Sequence, residues 1–245
     1  MMLRTRDRMK IRMRPGKVAC AVWIVGLLAV CGAAGAQSAT PGQTPTADKL
    51  PPMIPIFPLE DAALFPNALR SFNIFEPRYR AMIADALKGD RIIGMATLKP
   101  GYEADYEGRP PIYAIGCAGV ITEVEELPDG RYDIVLRGLV KFRITSEDQS
   151  RSYRLARVEE IPEVPNASEG AALHKQRQRL ELLVTGPGPA SAVPPNIPDD
   201  EVVNTLAQYA PLDPPQHQTL LELKDVLSRA QALIDLLDSK VAPPR

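Results

Sequence analysis

The feature that most narrows the fold is a pair of long extended segments joined by a tight turn. In the second segment Tyr132, Ile134, Leu136, Gly138, Val140, Phe142 and Ile144 alternate with a set that includes Asp133, Arg137, Lys141 and Arg143, broken by Val135 and Leu139. A period of two predicts a β-strand with one buried face and one largely wet face. The preceding segment, roughly 112–126, reads as its partner, and Pro128-Asp129-Gly130 between them reads as a hairpin turn in which Gly130 takes a positive φ. Gly116 and Gly119 predict a bulge or bend in the first strand of the pair.

Around this ribbon lie shorter β signals and one helix. Met53-Ile54-Pro55-Ile56-Phe57-Pro58-Leu59 opens the first strand, its prolines suiting an edge or a strand end, and 69–75 is a second extended segment. Pro77 then occupies a first helical position, where its missing N–H costs nothing. Tyr79, Met82, Ile83, Ala86 and Leu87 repeat at helical spacing, and Gly89 is placed to end the helix with a left-handed cap. Residues 91–98 form a nearly continuous apolar run, consistent with a buried strand; 99–111 form a polar loop holding Tyr102 and Tyr106; 153–161 are a weaker strand.

After Pro165 the patterning turns helical. Residues 167–184 read as a helix, 186–198 as a Pro/Gly-rich break, and 199–209 as a short helix with Asp199 as N-cap. The longest helix is expected over 215–239, where Leu220, Leu223, Leu227, Ala230, Leu233, Ile234 and Leu237 form an apolar stripe for packing within the chain. The fold class is therefore α+β, with a β-rich lobe over about 53–163 followed by an α-helical lobe over about 167–239.

The N-terminus has a different character. Arg4, Arg6, Arg8, Lys10, Arg12, Arg14 and Lys17 precede an apolar stretch from Val18 to Val30, which leads into Ala34-Gly35-Ala36 and Gln37. This reads as a secretory signal over 1–36, cut between Ala36 and Gln37. Its apolar run of about 13 residues is short of the ~20 that a spanning helix needs. Two other readings stay open: a lipoprotein attached through Cys31, and an uncleaved N-terminal anchor. Residues 37–52, rich in Pro, Thr, Gln and Ser, read as a flexible tether. The expected location is periplasmic or secreted.

Without residues 1–36, Lys+Arg falls from 29 to 22 and Asp+Glu from 30 to 29, a net charge of −7. An acidic chain does not neutralise phosphates, which argues against nucleic acid as a partner. Cys20 and Cys31 leave with the signal, so Cys117 has no intrachain disulfide partner; in its apolar run it reads as a buried small side chain.

The sequence contains no phosphate loop and no Gly-x-Ser-x-Gly elbow. His174 and His217 are its only histidines, each in a polar helical context without a ligand partner at metal spacing, and His217 reads as solvated. Glu123, Glu125 and Glu126 read as solvent-facing strand charges, and the sequon at Asn166 carries no weight in a bacterial setting. No catalytic residue, cofactor site or metal site is expected.

One set of motifs points to a family. Phe57-Pro58-Leu59, Leu64-Phe65-Pro66-Asn67 and Ile74-Phe75-Glu76-Pro77-Arg78-Tyr79-Arg80 are followed by Gly101-Tyr102-Glu103, Asp129-Gly130-Arg131 and Gly138-Leu139-Val140-Lys141-Phe142-Arg143-Ile144. The string resembles the N-terminal, substrate-binding domain of Lon proteases in a stand-alone form, over roughly 53–240. The resemblance implies a partly barrel-like β lobe beside a helical lobe. It also implies binding of polypeptide segments, with catalysis left to the ATPase and Ser-Lys protease domains of full-length Lon. Asn67 stands where many members have Gly, and Asn tolerates the left-handed turn.

Phe65, Pro66, Phe75, Glu76, Pro77, Arg78 and Tyr79 form the family motif and are expected to be mainly structural. Phe75 and Tyr79 would anchor the helix to the sheet, Glu76 would favour the helix N-terminus, and Arg78 would pair with a carboxylate elsewhere. Tyr102 and Tyr106 are the candidates for peptide contact in a groove between the lobes. A structural or adaptor subunit for one envelope protein, docking on the exposed face of the last helix, is the alternative to a binder of many polypeptides.

Overall fold

The computed structural model describes residues 49–61, 63–102, 108–163, 167–185 and 196–241, all within one unit, Thr46–Arg245. The expected signal, its cleavage point at Ala36 and Gln37, Cys31 and Tyr106 lie outside the described residues. The β-rich part holds β1 (Met53–Leu59), β2 (Leu69–Ile74), α1 (Pro77–Ala86), β3 (Ile92–Thr97), β4 (Ile115–Glu126), β5 (Tyr132–Asp148) and β6 (Arg154–Ile161). A short 3-10 turn at Ala167–Glu169 then leads into α2 (Gly170–Thr185), α3 (Asp199–Tyr209), α4 (Pro214–Glu222) and α5 (Val226–Val241).

The long ribbon is real: β4 and β5 pair antiparallel, with Gly130 at φ 76° in the turn between them. The strand order is β2-β5-β4-β3-β1-β6, and β6 returns to pair with the second half of β5. Five strands thus close into a barrel, while β2 extends the sheet along the first half of β5. Ile54, Ile56, Ile92, Ala118, Phe142 and Ala156, drawn from all five strands of the ring, form one core cluster. A second, larger core lies between the sheet, α1 and the helical part, and includes Phe57, Phe65, Tyr79, Ile83, Leu136 and Leu233.

The strict alternation of β5 fails at one point, for a physical reason. Val140 pairs with Ala118 and Gly138 with Gly119, so Leu139 is an extra residue in β5. A bulge of this kind reverses which side chains face which side. Lys141, expected on the wet face, is instead turned inward and is 1 % exposed, while Phe142 enters the barrel core. The expected irregularity near Gly119 therefore lies on the opposite strand, and β4 carries its own at Thr122, between Ile121 and Glu123.

Four further expectations are corrected. β1 is not an edge strand: β6 pairs with residues 53–56 and β3 with residues 56–59. Each neighbour covers only half of it, so a proline whose nitrogen faces the vacant side loses no ladder bond. The left-handed residue after α1 is Arg91, at φ 59°, not Gly89; the Arg91 carbonyl accepts from Ile121 N at 2.8 Å, which fixes the entry into β3. Asp199 is the first residue of α3 and Pro198 its cap, which frees the Asp199 carboxylate to pair with Arg177 at 2.8 Å.

The expected long last helix is two helices. Leu223 is extended, with ψ 145°, and Asp225 restarts the chain by accepting from Ser228 N at 2.7 Å. An apolar stripe reports which face is buried and is blind to a change of axis within it. The freed Leu223 carbonyl accepts from the ammonium of Lys141, so the bulge in β5 and the break between α4 and α5 meet at one bond.

Candidate functional site

The motif around Phe65 lies where the sheet meets the helices. Phe65 and Ala68 are fully buried, and the backbone of this turn lies directly on Gly138: Asn67 N donates to Gly138 O and Gly138 N donates to Ala68 O, both at 2.9 Å. A Cβ on Gly138 would stand 2.0 Å from Phe65 O, so only glycine fits there. Asn67 adopts the left-handed conformation, φ 63°, and its amide donates to Asp200 at 3.1 Å. From α3, Gln208 accepts from Phe65 N at 3.1 Å and Asn204 donates to Pro66 O at 3.0 Å.

Behind this turn sits a buried charged group. Arg229 is 0 % exposed and donates to Leu220 O at 3.0 Å, to Asn204 Oδ1 at 2.6 Å and to Glu163. Lys141 pairs with the same carboxylate at 2.7 Å, and the Arg229 guanidinium lies 5.3 Å from the centre of the Phe65 ring. Burial by itself would raise the Glu163 pKa, but the hydrogen bonds and charges of Arg229 and Lys141 bring it below the ordinary carboxylate value. These residues hold the two parts of the fold together.

The second half of the motif forms the wall of an open concavity. Tyr79 is buried and meets Phe57 edge-on at 4.7 Å between ring centres. Arg78 stacks over the Tyr79 ring at 4.6 Å and pairs with Glu76 at 3.0 Å, so Glu76 serves its neighbour and makes no side-chain cap. Phe75 does not anchor the helix: it is 40 % exposed, because the alternation of β2 points Phe72 and Ile74 inward and the next residue out.

That concavity, about 300 Å³, is lined by the buried Tyr79, Tyr153, Leu98, Pro110 and Arg154 and by the half-buried Arg78 and Arg109. Arg154 pairs with Glu147 at 2.7 Å and also donates to Pro110 O. Arg109 donates to two backbone carbonyls, Arg151 O at 2.9 Å and Asp148 O at 3.4 Å. The hydrogen bond from Lys88, and after it the one the Tyr153 hydroxyl donates at 2.9 Å, holds the Asp85 carboxyl below its ordinary pKa.

A second concavity, about 200 Å³, adjoins the first at Leu98 and Pro110. Its lining is mainly aromatic and prolyl, with Tyr102, Tyr113, Pro100 and Pro110 from the β-rich part and Pro214 and Pro215 from the start of α4, and it carries one carboxylate, Glu60, and one ammonium, Lys99. Tyr102 is 47 % exposed, and Lys99 lies 5.9 Å from the centre of the Tyr113 ring. The two concavities form one groove with an apolar half and an arginine-rich half.

The sequence reading placed Tyr102 in this region but passed over Tyr113, Arg109 and Arg154. Arg109 sits in a loop read simply as polar, and Arg154 reads as one more polar position of a weak strand. Asn204 and Gln208 were legible in principle: four residues apart, they share a helix face with Val203 and Ala207.

Two titratable groups stay outside the groove. Burial pushes the Cys117 thiol up to about 12. The native chain should therefore leave Cys117 unmodified by a maleimide at neutral pH and react there once unfolded, read by peptide mass mapping; labelling of the folded chain at this residue would contradict the packing. His217 is half-buried, not solvated as expected, and burial together with the nearby Arg70 lowers its pKa. Among the described residues no group of three or more His, Cys, Asp or Glu could hold a metal ion, and no helix is long and apolar enough to cross a membrane.

The family model described as the ATP-dependent protease La (LON) substrate-binding domain matches residues 53–239. Lon protease 2 of Myxococcus xanthus is 26 % identical over 201 residues, covering 79 % of this chain and 24 % of that protein. The Lon protease of Trichlorobacter lovleyi is 28 % identical over 199 residues, covering 77 % of this chain and 24 % of that protein. The chain thus spans about a quarter of the length of these relatives. The N-terminal domain of Mycobacterium avium complex Lon protease superposes with a TM-score of 0.57 at 20 % identity, over 77 % of this chain and all of that one. A Lon N-terminal domain protein from Xanthomonas campestris superposes with a TM-score of 0.53 at 22 % identity, over 75 % of this chain and 97 % of that one. These two likenesses concern the fold.

Proposed function

The chain belongs to the LON substrate-binding domain family, and from that premise we propose that it is a non-catalytic module that binds polypeptide segments in the groove described above. The observation that carries this reading is the apolar half of the groove, where Tyr102, Tyr113 and prolines from both parts of the fold converge beside Lys99. Partly exposed aromatic side chains over prolyl walls offer large contact area at small entropic cost, which suits extended peptide.

Export is part of the proposal, supported by the basic n-region, the apolar stretch and Ala34-Gly35-Ala36. Acting outside the cytoplasm, the module would serve something other than an ATP-driven protease. The adaptor reading through the last helix has less support, because α2 occupies outer positions of α5: Gln176 donates to Gln231 at 2.8 Å and Arg179 pairs with Asp238.

The test is fluorescence anisotropy of labelled, permanently unfolded model polypeptides with the full chain. Binding at roughly tens of micromolar or tighter is expected, weakened several-fold by Tyr102→Ala. No binding in that range, or hydrolysis of the probe that disappears on changing one polar residue, would overturn the reading.

A further inference from the structure

We infer that the arginine-rich half of the groove is a carboxylate site, so that the preferred ligand is a polypeptide segment presenting a carboxylate next to an apolar residue. This rests on the polypeptide-binding reading and sharpens it.

Three guanidinium groups line one cavity of about 300 Å³, and they are not equivalent. Arg154 already has the Glu147 carboxylate, and Arg78 has Glu76. Arg109 is fixed by the carbonyls of Asp148 and Arg151. The Asp148 carboxylate, held low by Ser150 and also by the Arg109 charge, is its nearby counter-charge, but among the described residues no carboxylate makes a direct ion pair with it, so its fork is open to another acceptor. The cation is thus positioned in advance on the side of a partly buried cavity, with its own side-chain ordering already settled in the free protein. A planar fork of this kind matches a carboxylate oxygen pair, and the partial exclusion of water strengthens the contact.

The surroundings favour a carboxylate on a peptide over a free inorganic anion. Tyr79, Leu98 and Pro110 are apolar parts of the lining, and Leu98 and Pro110 also line the Tyr102/Tyr113 half, so a ligand that fills both halves carries an apolar side chain beside its charge. An acidic side chain and a free chain terminus present the same chemistry here.

The experiment uses the full chain and three labelled peptides of one unstructured apolar–aromatic sequence: one with a free C-terminal carboxylate, one amidated, and one amidated with an internal Glu. At least one carboxylate peptide is expected to bind about ten-fold tighter than the neutral one, the gap shrinking as salt is raised. Which carboxylate peptide gains separates a chain terminus from an acidic side chain. R109Q is expected to bring the carboxylate peptides to the level of the neutral one. Because the comparison among peptides leaves the protein untouched, it decides the matter even where R109Q loosens the adjoining turn. Equal binding of all three peptides to the unmodified chain would overturn the carboxylate site and leave polypeptide binding standing. Failure of all three to bind would overturn both, and tighter binding of free phosphate than of any peptide would replace the carboxylate by an inorganic anion.

Discussion

Glu163→Gln is expected to destabilise the fold by about 3–5 kcal/mol, the usual cost of removing one partner from a buried ion group. The substitution keeps the shape and removes the charge facing Arg229 and Lys141, both almost completely buried. One ammonium and one guanidinium charge would then face each other across a neutral amide. Urea unfolding followed by circular dichroism measures the loss directly. The pH dependence supplies a second readout. The folded-state pKa of Glu163 lies below its ordinary 4.5, so its contribution is complete above that value and is lost as pH falls through the lower, folded value. E163Q should therefore flatten the acid side of the stability profile below about 4.5. An unchanged midpoint together with an unchanged acid limb would show that the group is not paired as described.

Gly138→Ala is expected to cost about 3 kcal/mol or more, at or beyond the upper end of ordinary overpacking. The added methyl would meet backbone and not a movable side chain: Phe65 O at 2.0 Å, Phe65 C at 2.8 Å and Pro66 Cα at 3.2 Å. The turn cannot retreat cheaply, because Gln208 and Asn204 hold it from the other side. Gly170→Ala is the control. Nothing lies within 4 Å of its added methyl, at the start of α2, and the change should be neutral or slightly stabilising. Thermal melts of the two variants that moved together would contradict this account.

The sequence shows best what local patterning controls. Pro77 and the Tyr79–Ala86 spacing define α1, the apolar run before Leu98 defines β3, and the turn at Pro128-Asp129-Gly130 joins β4 to β5. What it hides depends on distant partners. Leu139 looks like one more apolar break in an alternating strand, yet as a bulge it turns Lys141 toward a carboxylate that follows β6 and a carbonyl at the end of α4. The apolar stripe of the last two helices is equally silent about their break at Leu223, because the same face stays buried on both sides of it. The candidate groove was harder still to read. Tyr102 stands out as an exposed aromatic; Arg109 and Tyr113 follow it in the same connection between β3 and β4, where nothing in the pattern marks them, and Pro214 and Pro215 join them only through folding.

The closed ring of strands also governs the order in which this chain can fold. β1 is among the first elements to be synthesised, yet its neighbour on one side is β6, with Ile54 opposite Ala156. Bringing such distant segments together is slow, since the entropy of closing the intervening loop is lost before the pairing returns anything. A nascent chain that has reached β4 can hold a hairpin of its own but cannot seal the barrel, and Ile54 and Ile56 stay uncovered on that side until β6 emerges. Arg229 arrives later still, so the charge of Lys141 is buried only when almost the whole chain is present. Folding of this molecule is therefore a late, nearly all-or-none event, and a chain shortened before β6 would present an aggregation-prone apolar strand in place of a smaller working domain.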